Sequence, residues 1–191
     1  MKKSLIFIFI VLFLVLPACV TPDKKETKNI IKREFDNAPQ WVIGNASTAS
    51  QICGVGSATN SGNTPAMRIY AQNRGRQEIS NILEVKVQAV FMNFNSKTVK
   101  SDGTVQSTST EQQILDLSKQ TTASILSGTE QKDQWTSDYS GNLYILMCTD
   151  LEKFKNSIQN MSQLSESIRQ FFLERAEKIF DEISKENGAE K

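Results

Sequence analysis

The chain of 191 residues carries 22 Lys+Arg against 21 Asp+Glu, and a net charge of +1 gives it no overall field that would gather nucleic acid or acidic substrates. Histidine is absent, which removes Ser-His and Cys-His nucleophile pairs, imidazole general bases and every His-containing metal site. The 39% hydrophobic content overstates the core, because an apolar block fills positions 5 to 16; the remainder suffices for one modest domain with polar extensions.

Lys2 and Lys3, the apolar run Leu5 to Leu16 and then Pro17-Ala18-Cys19 have the charged, apolar and small-residue regions of a secretory signal over residues 1–18. A twelve-residue helix rises about 18 Å, too short for a hydrocarbon core of roughly 30 Å, so the run reads as the core of a signal peptide and not as a permanent span. Leu16-Pro17-Ala18-Cys19 resembles the bacterial lipobox, with Pro17 departing from the usual small residue. That resemblance implies a diacylglycerol and an amide-linked acyl chain such as palmitate on Cys19, a firm anchor where one chain alone would bind marginally. Val20 and Thr21 follow, so the Asp that retains many lipoproteins in the inner membrane is missing and outer-membrane attachment is expected, facing periplasm or cell surface.

Residues 19–38 are rich in Lys, Glu, Asp, Asn and Thr and read as a solvated tether with at most a transient helix. The folded domain is expected over 39–150. Residues 51–58 form a predicted strand, closed by the turn Asn60 to Asn63, and a long amphipathic helix follows, with Thr64 as its cap and Pro65 in its first turn. Val85, Val87, Ala89 and Phe91 also alternate as a strand would, but Ile79, Leu83, Val87, Val90 and Phe94 continue the helical period. A loop is predicted over 95–110, a weaker helix over 110–126 ending at Gly128, and an antiparallel hairpin from the runs around Trp135 and over 143–149.

Residues 151–191 lack proline and place Leu151, Phe154, Ile158, Met161, Leu164, Ile168, Phe171, Phe172, Ile179 and Ile183 on one helical stripe. Two outcomes fit: a continuous rod of about 55 Å whose far half, with Phe171 and Phe172, meets another subunit or envelope protein, or a helix broken near Asn160 or Gln163 and folded back on its own domain.

Gly54-Val55-Gly56-Ser57 lacks the third glycine of a dinucleotide fingerprint and the Lys-Ser/Thr of a P-loop, so close approach of a helix to the strand explains its glycines better. Cys53 and Cys148 lie on predicted strands and are either a disulfide or two buried thiols; no cysteine pair has metal-site spacing. Arg68, Arg74 and Arg76 can bind an anion or make a surface ion-pair face, and Trp41, Tyr70 and Trp135 can form a binding surface or simply pack. No catalytic constellation, metal site or cofactor motif is read.

Pro39-Gln40-Trp41, Cys53-Gly54-Val55-Gly56-Ser57-Ala58, Ala71 with Gly75-Arg76-Gln77-Glu78-Ile79, Val85-Lys86-Val87-Gln88, Leu126-Ser127-Gly128, Trp135 and Gly141-Asn142-Leu143-Tyr144-Ile145-Leu146 together resemble the Lpp-twenty lipoprotein family. Gly75 stands where that family usually has Ala. The resemblance implies an α+β fold, a small antiparallel sheet of about three strands packed against long helices. It also implies kinship with outer-membrane flagellar assembly lipoproteins, and it brings no catalytic residue. The expectation is a non-enzymatic envelope lipoprotein with a structural or assembly role, the alternative a periplasmic ligand-binding module; neither binds nucleic acid.

Overall fold

The computed structural model describes residues 24–44, 46–102 and 111–186, and the chain divides into two compact units, Met1–Arg33 and Glu34–Lys191. The tether is helical in its described part, as α1 (Lys24–Glu34). The sequence reading favoured a solvated linker there. The segment KKETKNIIKRE has no glycine or proline, its Lys, Glu and Arg are good helix formers, and Lys32 and Arg33 complement the carbonyl end of the helix dipole. Asn37, at φ 59°, takes the left-handed conformation just beyond it.

In the second unit a single turn of helix, α2 (Gln40–Ile43), precedes β1 (Gln51–Ala58), α3 (Thr64–Asp102), α4 (Glu111–Ser127), β2 (Glu130–Thr136) and β3 (Leu143–Asp150). The three strands form an antiparallel sheet in the order β1-β3-β2, so the fold is α+β with the last strand at its centre. Strand alternation turns Ile52, Gly54, Gly56 and Ala58, with Leu143, Ile145 and Met147, toward α3. The glycines bring backbone against backbone. A Cβ on Gly54 would strike the Gly75 carbonyl and one on Gly56 the Ala71 carbonyl, while a Cβ on Gly75 would lie 2.7 Å from Met147 Cγ. The helix therefore lies on bare strand, and at Gly75 the Met147 side chain occupies the space that a Cβ would take.

α3 buries Met67, Ala71, Gly75, Ile79, Leu83 and Val87 at four-residue spacing and then Val90 and Phe91, so helical period overrides the alternation through Val85, which stays 67% exposed. Its amino end is capped by Asn63, whose Oδ1 accepts from the Ala66 N–H at 3.2 Å, and not by Thr64. The helix also runs on through Asp102, across the first half of the predicted loop. α4 packs beside it with Ile114, Ser118, Thr121, Thr122 and Ile125 buried; Ser118 and Thr121 donate back to the carbonyls of Ile114 and Leu117, which lets small polar groups enter an apolar interface.

The continuous carboxy-terminal rod does not form. Its stripe is divided among α5 (Leu151–Gln159), α6 (Glu166–Leu173) and α7 (Ala176–Glu186), which fold back on the sheet-and-helix core. Asp150 caps α5 through the Lys153 N–H at 2.8 Å, and Ser165 caps α6 through Ile168. The Arg169 guanidinium ties the first break by donating to the carbonyls of Gln159 and Leu164. Phe154, Ile158, Phe172, Phe180 and Ile183 are buried, and Phe154 meets Phe180 edge-on at 5.4 Å. Lys86 of α3 pairs with Glu182 and Glu186 of α7 and closes the outer side.

Candidate functional site

Cys53 and Cys148 stand directly opposite each other on β1 and β3 with 4.1 Å between their Cα atoms, the close spacing of a non-hydrogen-bonded antiparallel pair, and are joined as a disulfide. In that register the Cys53 backbone groups point to the free edge of β1, where Ser47 Oγ accepts from the Cys53 N–H at 3.0 Å and donates to its carbonyl at 3.3 Å. Two residues on, the Val55 N–H donates to the Glu78 carboxylate. Burial pushes the Glu78 carboxyl above the usual carboxylate value, with the Val55 bond pulling the other way. Both side chains satisfy backbone groups on the free edge of the strand.

The most developed polar cluster gathers around Glu34. Its Oε1 accepts from Tyr144 Oη at 2.8 Å, Ser140 Oγ at 2.9 Å and Asn142 Nδ2 at 3.1 Å, and its backbone carbonyl accepts from Ser137 Oγ at 2.8 Å. The hairpin loop between β2 and β3 positions these donors: Gly141, at φ 72°, turns the chain so that Gly141 donates to the Ser137 carbonyl and Ser137 to that of Asn142. Phe35 meets Tyr144 edge-on at 5.8 Å and Trp135 lies against the same ring at 5.4 Å. Burial alone would raise the Glu34 carboxyl, but the bonds from Ser140, Tyr144, Asn142 and Ser137 prevail and hold it below the ordinary value. Tyr144 is pushed up to about 12 by burial and by its bond to Glu34. A carboxylate so saturated with donors is kept ionised and is no proton donor. It works as a mount that fixes the start of the domain to the hairpin.

Farther along, Trp41 Nε1 donates to Asp133 at 2.8 Å, which lays the Pro39-Gln40-Trp41 segment against β2. Trp41, Tyr70 and Trp135 do not form one surface. Tyr70 sits on α3 with the Arg74 guanidinium over its ring, whereas Arg76 turns away to Thr129. A cleft of about 500 Å³ between α4 and α5 is lined by Ser127, Thr129, Asn156 and the Lys153–Glu130 ion pair, which neutralises its charge internally. Among the described residues no group of three or more His, Cys, Asp or Glu could hold a metal ion, and no helix is long and apolar enough to cross a membrane. Cys19 lies outside the described residues.

Phe171 and Phe172 are not an exposed contact surface. Phe172 is 0% exposed and meets Phe91 at 5.1 Å, and Phe171 packs on Phe94 at 5.3 Å with Arg175 over its other face, because the fold-back at Asn160 returns α6 to α3. The Glu34 mount was invisible in the sequence: its donors lie 103 to 110 residues downstream, and only the turn residues Asp138 to Asn142 signalled a loop.

A three-stranded antiparallel sheet backed by a long helix, glycine to glycine, with Glu34 bonded to the hairpin, describes a small α+β domain. The model of the LPP20 lipoprotein family matches residues 39–150, more than half of the chain, and the chain belongs to that family. It is thus a lipoprotein, anchored to a membrane of the cell envelope. No curated protein matches the chain.

Proposed function

We propose that the chain is a non-enzymatic outer-membrane lipoprotein, acylated on Cys19, whose domain makes protein contacts in a structural or assembly role at the envelope, the flagellar base included. The observation that carries this reading is the Glu34 mount: the chain arriving from the anchor is fastened to the hairpin by four hydrogen bonds at its first domain residue, which suits transmission of position rather than chemistry. The absence of histidine from the whole sequence and the use of Glu34, Glu78 and Glu130 in structural bonds support the non-enzymatic reading. With Phe172 buried and Phe171 partly buried against Phe94, the partner-facing surface is sought on α3, where Val85 at 67% and Met92 at 44% exposure lie seven residues apart on one outer face with Ala89 between. The ligand-binding alternative called for aromatic and arginine side chains around one pocket, and Arg74, Arg76 and the aromatics point to different places.

The test has two arms. Cys19→Ser should move the protein from membranes washed in high salt to the soluble fraction, and a photo-cross-linker at Val85 or Met92 of the native lipoprotein should capture the same defined envelope protein from living cells. Retention of the processed Cys19→Ser chain in salt-washed membranes, or capture indistinguishable from that by a linker at the exposed Lys178, would overturn the reading.

A further inference from the structure

Residues 24–33 of α1 read KKETKNIIKR, five basic side chains against one acidic, within a chain whose net charge is only +1. Lys28 and Lys32 are exposed and share one face four residues apart, and Lys24 continues that spacing in the sequence. Ile30 and Ile31, 46% and 54% exposed, fall in the adjoining sector, with Thr27 between them and Ile31 on the Lys24 side. Apolar and basic sectors on one short helix are the pattern of a helix lying in a bilayer interface.

Chain length names the occupant. Four residues separate Cys19 from Lys24, so their Cα atoms stand at most about 18 Å apart. An acylated Cys19 has its Cα at the headgroup level, which keeps the whole helix within reach of that surface. We propose that residues 24–33 lie along the bilayer surface, with Ile30 and Ile31 toward the acyl chains and the lysines on the phosphates of anionic phospholipid headgroups. This rests on the acylation of Cys19 for its geometry, but the helix's own affinity for lipid does not require it. The lipid anchor then supplies residence, and the helix supplies orientation.

The experiment uses the mature chain, residues 19–191, as the unlipidated Cys19→Ser protein, floated with vesicles of phosphatidylcholine containing 30 mol% phosphatidylglycerol or none. Binding is expected to the anionic vesicles, to weaken with added salt, and to fall about a hundredfold in the triple variant Lys24→Gln, Lys28→Gln, Lys32→Gln, at roughly fivefold per lysine. Ile30→Ser with Ile31→Ser should also weaken it, whereas Lys178→Gln with Lys185→Gln on α7 should not. Equal binding to both vesicle types, no binding, undiminished binding by the triple lysine variant, or self-association through Ile30 and Ile31 in place of lipid binding each overturns the proposal. The mass of the amino-terminal peptide from native protein tests acylation separately, so that either claim can fail while the other stands.

Discussion

Replacing Gly56 by alanine adds one methyl group, and the structure fixes where it must go. Its Cβ would overlap the Ala71 carbonyl oxygen and the Gly75 nitrogen and lie 2.9 Å from the Ala71 carbonyl carbon. Carbon contacts are relaxed only at about 3.5–4 Å, and these neighbours are helix backbone that cannot rotate aside, so α3 must retreat from β1 by about 1–2 Å. That shift loosens Ala71, Ile79 and Leu83, all 0% exposed, from the sheet. Overpacking costs typically about 1–3 kcal/mol, and a backbone-to-backbone collision belongs at the upper end. At about 2–4 °C per kcal/mol for a chain of this size, Gly56→Ala should lower the melting temperature by roughly 6–12 °C, and Gly56→Val by more. Gly62→Ala is the control: Gly62 has φ 73° and open space around it, so only the left-handed penalty of about 1–2 kcal/mol applies. Thermal melts of the mature, unlipidated chain decide the matter. If Gly56→Ala melts within about 2 °C of the parent, a difference of about one half kcal/mol, or above Gly62→Ala, the close-approach account of this strand is wrong.

Removing the disulfide by Cys53→Ala with Cys148→Ala releases a crosslink between residues 95 apart and should cost about 2–5 kcal/mol in a denaturant melt, with reductant reproducing the effect on the parent. Because the Glu34 carboxyl is held below its ordinary value of 4.5, its contribution is present above that pH and is lost as acid brings the pH down through the folded-state value. The stability gap between parent and Glu34→Gln should therefore close on acidification, and a gap that widens instead would contradict the mount. Spectrophotometric titration should show one tyrosine ionising at about 12, and Tyr144→Phe should abolish that step. Phe172→Ala should cost about 3–5 kcal/mol while leaving the sedimentation coefficient unchanged; a changed association state with unchanged melting would return Phe172 to the surface.

The sheet and its main helix were legible because their signals are local. The Cys53-Gly54-Val55-Gly56 run between turn residues marks a strand, and the apolar spacing from Ile79 to Val90 marks a helix even though Val85 to Phe91 also alternate. The carboxy-terminal stripe was ambiguous for a physical reason: Phe154, Phe172 and Ile183 occupy the same sector whether the helix is continuous or broken, and the residues that decide, Asn160, Ser165 and Arg169, are also ordinary residues of a helix surface. Helix α1 was undervalued because its charges suit water equally well with or without helical order. The mount was beyond reach, since nothing in Glu34 itself announces that Tyr144 will donate to it across the fold.

The pairing of β1 with β3 bears on how the chain comes into being. Among the described strands β1 is the first to emerge from a ribosome or a translocon, and its ladder partner is the last. Until residue 150 has followed, β1 has its helix but no sheet, and Cys53 has no native thiol opposite it. Vectorial synthesis thus leaves an open intermediate whose oxidation before Cys148 arrives can only be wrong, and the native crosslink records that the chain was delivered whole through its final strand.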